Sequence, residues 1–287
     1  MSRAPLLPVH DALMRVLDSA RLPLNSERVP LSECRGRTLA EDVAALRTQP
    51  PFAASAMDGY AVRAQDIAHV PSKLKIIGES AAGRRFQGAL KTGEAVRIFT
   101  GAPVPDGADT ILIQENTKAD GEHVTALESE TQGRYVRRAG LDFSAGDVLL
   151  KKGQRLGPAE LALAAAMNHP ALPVTRRPRV ALLATGDELV RPGEEIGPDQ
   201  IVASNTFAVR AYAENAGADV IDLGIAGDNF AAIEAAIRSA RAYGADVLVT
   251  LGGASVGDHD LVQTALANEG MELGFWRIAM RPGKPLM

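Results

Sequence analysis

The chain has 287 residues, 46% of them hydrophobic, and a formal net charge of −4 from 31 basic and 35 acidic side chains. Single domains run to about 100–200 residues, so more than one core is expected, and with no basic excess nucleic-acid binding has no electrostatic support. Cys34 is the only cysteine, which excludes an intrachain disulfide or a cysteine-based zinc site and fits a reducing, cytoplasmic compartment.

Leu13, Val16, Leu17 and Ala20 recur at helical spacing and predict an amphipathic first helix rather than a signal peptide. No run of about 18 uninterrupted apolar residues follows anywhere, so no membrane span is expected. Pro50-Pro51 interrupts regular structure. From there to about residue 133 short strand-like runs alternate with glycine turns: 74–77, 95–99, 110–114 and 123–126. A helical run from Pro158 to Met167 opens with proline in its first turn. Helices therefore flank the β segment, and one economical reading makes them a single helical domain that the β segment interrupts.

Beyond Pro178 the pattern becomes regular. Strands at 179–184, 219–225 and 246–251 alternate with helices. Ser204 or Asn205 stands ready to cap the first of these helices, Asp228 or Asn229 the second, and Asp260 opens a third. Gly217 and Gly244 stop the first two. Such alternation predicts βαβ units and a mostly parallel sheet.

Ligands of open α/β sheets bind beyond the carboxyl ends of the strands. Here those ends read Thr185-Gly186-Asp187-Glu188, Gly227-Asp228 and Gly252-Gly253-Ala254-Ser255-Val256-Gly257-Asp258-His259-Asp260. Acids gathered on one edge repel unless a cation lies among them, and oxygen-only ligands suit Mg²⁺. Helix capping alone accounts equally well for Asp228 or Asp260, and an isolated Glu188 is commonly a solvated loop acid. Gly252 and Gly253 permit close backbone approach to an anion, but the loop is neither a P-loop nor a dinucleotide fingerprint. Arg277, Arg281 and Lys284 surround Pro282-Gly283 and Pro285. They could bind an oxyanion, although charge alone favours an exposed basic edge. Asp58-Gly59 reads by default as a hairpin turn, Thr100-Gly101 as the start of a stiff turn, and Arg137-Arg138 with Asp142 as a surface ion pair.

Taken together, Ser55-Ala56-Met57-Asp58-Gly59-Tyr60, Thr100-Gly101-Ala102-Pro103, Arg138-Ala139-Gly140 with Asp142, Thr185-Gly186-Asp187-Glu188, Gly252-Gly253 with Ser255 and Asp260, and Pro282-Gly283-Lys284-Pro285 resemble the molybdopterin molybdenumtransferase family, relatives of the gephyrin E domain. The resemblance covers nearly the whole chain. It implies a multidomain α+β and α/β protein. Residues 1–47 and 138–176 would form an interrupted helical domain and residues 48–137 a β domain. Residues 177–287 would form a three-layer α/β molybdopterin-binding domain with a mostly parallel sheet.

The resemblance also implies Mg²⁺-dependent insertion of molybdate into adenylylated molybdopterin with release of AMP. Asp228 and Asp260 would hold the metal. Asp58, Thr100, Asp142, Glu188, Ser255 and Asp260 would serve catalysis. Gly252, Gly253, Ser255, Arg281, Lys284 and Pro285 would bind the pterin nucleotide or molybdate. The implied partners are a second copy of the chain, whose β domain completes a shared cleft, and a molybdopterin adenylyltransferase as substrate donor.

Two departures stand out: arginine at 277 and 281, where many members have lysine, and an end at Met287, before the family's last segments. The expectation is a C-terminally truncated chain. A non-catalytic pterin-binding scaffold is the alternative that follows. An enzyme that adenylylates molybdopterin is disfavoured, because it would not need the N-terminal segments.

Overall fold

A computed structural model describes residues 6–20, 24–252, 261–283 and 286. The chain divides into two compact units, residues 28–173 and residues 1–27 with 174–287.

The first unit is built on a six-stranded sheet. Its strands are β1 (Gly59–Val62), β2 (Ser72–Ser80), β3 (Glu94–Ile98), β4 (Thr110–Ile113), β5 (Thr117–Asp120) and β6 (His123–Ala126). They lie in the order β4-β1-β3-β2-β6-β5. All pairs are antiparallel except β2 with β3. Successive residues of a strand face opposite sides, and here both sides are apolar. Tyr60, Val62 and Leu112 enter one buried cluster, whereas Ala61, Val96 and Ile111 enter another.

Gly59 corrects the hairpin reading of Asp58-Gly59. It is the first residue of β1 and packs against β4 so closely that a Cβ would lie 2.1 Å from the Leu112 carbonyl oxygen. The glycine serves strand contact rather than a turn. Beside the sheet, Ala54–Ser55 pairs with Val136–Arg137 and Val43–Ala44 with Val148–Leu150. A helix, Pro158–Ala166, follows, and the Glu160 carboxylate accepts from the Gly157 N–H at 2.9 Å. Leu39, Leu150, Leu156, Met167 and Leu172 form a fully buried apolar set in this part of the chain.

In the second unit β7 (Arg179–Thr185) is the centre of a three-stranded sheet, between β8 (Asp219–Ala226) and β9 (Val247–Leu251). Both pairings are parallel. With the helices Val9–Ser19 and Pro158–Ala166 numbered α1 and α2, the helices of this sheet are α3 (Asn205–Ala216), α4 (Phe230–Tyr243) and α5 (Leu261–Asn268). Val180 and Leu182 pack towards Val209 and Ala213 of α3, whereas Leu183 packs towards Ile233 and Ile237 of α4 and Val262 and Ala265 of α5. Alternation along one buried strand thus builds a three-layer sandwich. Gly217 and Gly244 end α3 and α4 in the left-handed conformation. At the opposite end of the strands, Asp246 takes two 2.7 Å hydrogen bonds from Arg176, which hold its carboxyl below the usual range.

The first helix forms as the spacing predicts, but its apolar stripe is not buried in its own unit. Leu13, Val16 and Leu17 are 46–52% exposed, and only Ala12 is buried. Residues just before the helix are tied to the end of the unit, with Ala279 N–H donating to the Leu7 carbonyl at 2.7 Å.

Candidate active site

Parallel order brings the carboxyl ends of β7, β8 and β9 to one edge, and each strand is followed there by glycine. At Gly252, φ is +106° and a Cβ would lie 2.4 Å from the Thr185 carbonyl oxygen. Only glycine lets the chain leave β9 so close to β7. The Thr185 hydroxyl is buried at the same place and has no hydrogen-bond partner among the described residues. At Gly227, a Cβ would meet the Asp187 carboxylate at 2.9 Å. The missing side chain lets Asp187 reach across from β7 to β8, where its Oδ1 accepts from the Asp228 N–H at 3.0 Å.

The structure decides between Asp228 and Asn229 as the cap of α4. Asn229 is extended (φ −145°, ψ 148°), and its side-chain oxygen accepts from the Ala232 N–H at 2.9 Å. Asp228 is therefore not the cap. Asp228 is exposed at the strand edge, and its backbone, through the N–H, is tied to Asp187. Sequence reasoning left Asp187 out of the site, although the repeated Gly-Asp at residues 186–187 and 227–228 carried the signal. Glu188 is exposed, and its carboxylate lies over Gly186, where a Cβ would meet it at 2.3 Å. Gly253, Ser255, Asp260, Lys284 and Pro285 lie outside the described residues.

Among the described residues no three His, Cys, Asp or Glu side chains gather as a metal site. Mg²⁺ needs less, because it commonly uses one or two carboxylates and takes its other ligands from water and substrate phosphate. Asp187 and Asp228, on adjoining strand ends with an open side, fit that requirement.

A second set of expected residues is assembled in the other unit. The register that pairs Gly59 with Ile98 brings Asp58 beside Thr100. Asp58 Oδ1 accepts from the Thr100 N–H at 2.7 Å and from its hydroxyl at 2.9 Å. The backbone donor, then the hydroxyl, and to a smaller degree the charge of Arg97 hold the Asp58 carboxyl below the ordinary aspartate range. Arg97 was not foreseen. It lies over the rings of Tyr60 and Phe99 at 5.1 and 4.9 Å and donates to the Gly59 carbonyl and Gln114. Its only sequence signal was a charge opposite an aromatic residue on paired strands.

Asp142 lies at a bend where its N–H donates to the Gln49 carbonyl at 3.0 Å. The ion pair expected with Arg137 or Arg138 does not form among the described residues. Arg281 is exposed. Arg277 stacks its guanidinium 4.2 Å from the Trp276 ring centre, which gives that arginine a structural contact of its own.

The sequence matches the family described as "MoeA N-terminal region (domain I and II)" over residues 7–168, more than half of the chain. Residues 181–287 match the "Probable molybdopterin binding domain". The chain belongs to the molybdopterin molybdenumtransferase family. Among curated members, the molybdopterin molybdenumtransferase of a Nostoc species is 41% identical over 96% of this chain. That of Haemophilus influenzae is 37% identical over 98%. This chain spans 63% and 69% of those two family members, about two thirds of their length. A solved structure of the molybdopterin biosynthesis MoeA protein from Pyrococcus horikoshii superposes with a TM-score of 0.85 at 35% identity, covering 98% of this chain and 71% of that one. The molybdopterin molybdenumtransferase fold, with both N-terminal and molybdopterin-binding parts, is thus present here.

Proposed function

We propose that this chain acts in molybdenum-cofactor biosynthesis by Mg²⁺-dependent insertion of molybdate into adenylylated molybdopterin, with AMP as the leaving product. The observation that carries the reading is the side chain of Asn229. Because Asn229 caps α4, the Asp228 carboxylate has no hydrogen-bond partner among the described residues, at a strand edge where its backbone already meets Asp187. Two carboxylates at adjoining strand ends would repel each other if they converged on one point, and a divalent cation between them would remove the repulsion.

Asp187 and Asp228 would hold Mg²⁺, with Asp260 as the further acid that the family resemblance supplies. Bound Mg²⁺ would neutralise phosphate charge and so ease departure of the nucleotide. The chain's own groups do the rest. Gly252, without a side chain, lets the end of β9 pass close over Thr185, which leaves this strand end open to close approach of a phosphate. The buried Thr185 hydroxyl is a donor without a partner among the described residues, suited to an oxygen of the bound nucleotide. Asp58, kept ionised by Thr100, acts as a fixed acceptor and not as a proton donor near neutral pH.

A homodimer with shared clefts, a substrate-donating molybdopterin adenylyltransferase and a cytoplasmic setting complete the proposal. The resemblance supports the first two, and the free, buried Cys34 supports the third. The test supplies purified protein with adenylylated molybdopterin, molybdate and Mg²⁺ and follows AMP. Molybdate-dependent AMP release that Asp228→Asn abolishes is the expected result. No release, with substrate binding retained, would overturn the catalytic reading in favour of a pterin-holding module.

A further inference from the structure

A cavity opens in the α/β unit, formed by residues distinct from those of the strand edge. It is an open recess of about 330 Å³ between residues 191–192, the first turn of α3 and residues 222–225 of β8. That is near the lower end of small-molecule sites, ~300–1,000 Å³. Strand β8 is irregular there. Its register against β7 shifts between Leu182 and Ala184, and Gly224 adopts φ +85°. The missing side chain matters as well as the backbone angle. A Cβ at Gly224 would lie 3.0 Å from an Arg191 guanidinium nitrogen, so glycine makes the space that the arginine occupies.

Two groups of opposite charge line this cavity without pairing. Arg191 and Asp222 both line it, yet they form no ion pair with each other or with any other described residue. Among the described residues, Asp222 Oδ1 accepts from the Gly224 N–H, at 2.8 Å. Thr206, in the first turn of α3, lines the cavity at 7% exposure, and its hydroxyl has no hydrogen-bond partner among the described residues. No side chain caps α3, so the positive end of that 12-residue helix is also open. Phe207 and Ile225 add apolar wall.

We propose that this cavity binds a small phosphate monoester that carries hydroxyl groups. A guanidinium, an unpartnered hydroxyl and an uncapped helix N-terminus together recognise a phosphate. Asp222 repels a bare anion but accepts from a hydroxyl, so it selects a ligand with both features. The single carboxylate gives a metal too few ligands, and the unpaired Arg191 disfavours a cation.

Titration calorimetry without Mg²⁺ tests the site, with ribose 5-phosphate as the probe and inorganic phosphate and ribose as comparisons. Ribose 5-phosphate should bind saturably at one site per chain, and ribose should give no measurable heat. Arg191→Gln should weaken ribose 5-phosphate by about tenfold or more, and Thr206→Val by a smaller factor. Asp222→Asn should weaken ribose 5-phosphate relative to inorganic phosphate, because its acceptor serves the hydroxyls. Circular dichroism confirms that each variant is folded. Absence of saturable binding would overturn the proposal, and so would unchanged affinity in folded Arg191→Gln. Loss of binding in Asp228→Asn with Arg191→Gln unaffected would place the phosphate at the strand edge and equally refute this site. Failure here leaves the strand-edge reading intact, since the two share no residue.

Discussion

Replacing Asp228 and Asn229 one at a time separates function from helix capping. Asn229→Ala removes the 2.9 Å bond to the Ala232 N–H. Loss of such a cap costs about 0.5–2 kcal/mol, typically ~1. For 150–250 residues this lowers the melting temperature by about 2–4 °C per kcal/mol. Asp228→Asn keeps the shape of the side chain, and its N–H still donates to Asp187. The side chain is exposed, so the effect on the metal-free protein should stay within about 0.5 kcal/mol.

Mg²⁺ should reverse the ranking. A ligand at 100 times its dissociation constant stabilises by ~2.7 kcal/mol, and after a hundredfold loss of affinity by only ~0.4. Melting curves with and without Mg²⁺ should therefore show a normal metal-dependent rise in Asn229→Ala and little rise in Asp228→Asn. The reasoning fails if Asp228→Asn lowers the metal-free melting temperature as far as Asn229→Ala does. It fails equally if the Mg²⁺-dependent rise survives in both Asp228→Asn and Asp187→Asn.

Gly59→Ala places a methyl 2.1 Å from a backbone oxygen of the neighbouring strand, so β1 and β4 must part. A loss of about 2–3 kcal/mol in urea unfolding is expected, and a neutral result would contradict the close approach. Thr100→Val keeps the backbone donor to Asp58 and deletes the hydroxyl, so the Asp58 carboxyl, followed by carbon NMR, should titrate at higher pH but remain below the ordinary range. Because the folded-state value of Asp58 is depressed, its stabilising contribution is present above the ordinary carboxylate range and is lost as pH falls through the folded value. Thr100→Val should shrink that acid-side loss. For the proposed shared clefts, Asp58→Ala and Asp260→Ala subunits allowed to exchange at random should recover about a quarter of wild-type AMP release, since half of the dimers carry one intact cleft of two. No recovery with exchange verified would refute the sharing.

Much of the α/β unit was legible in the sequence because its signals are local. A parallel strand covered on both faces must be apolar throughout, as residues 179–185 are, and left-handed glycines stop the helices at positions 217 and 244. The acids at the strand ends were visible for the same reason, although Asp187 was passed over. The tertiary structure settled what depends on distant partners. Asp58 and Thr100 stand 42 positions apart, and only the register of β1 with β3 joins them. Gly59 resembled a turn residue until β4 closed against it. The stripe of α1 announced a helix but not what would cover it, because periodicity fixes which face is apolar and says nothing of the surface it meets. Asp228 and Asn229 are both good caps by residue type. The choice between them fell to the backbone angles at residue 229 and to Asp187, whose carboxylate takes the Asp228 N–H and leaves the neighbouring asparagine to cap the helix.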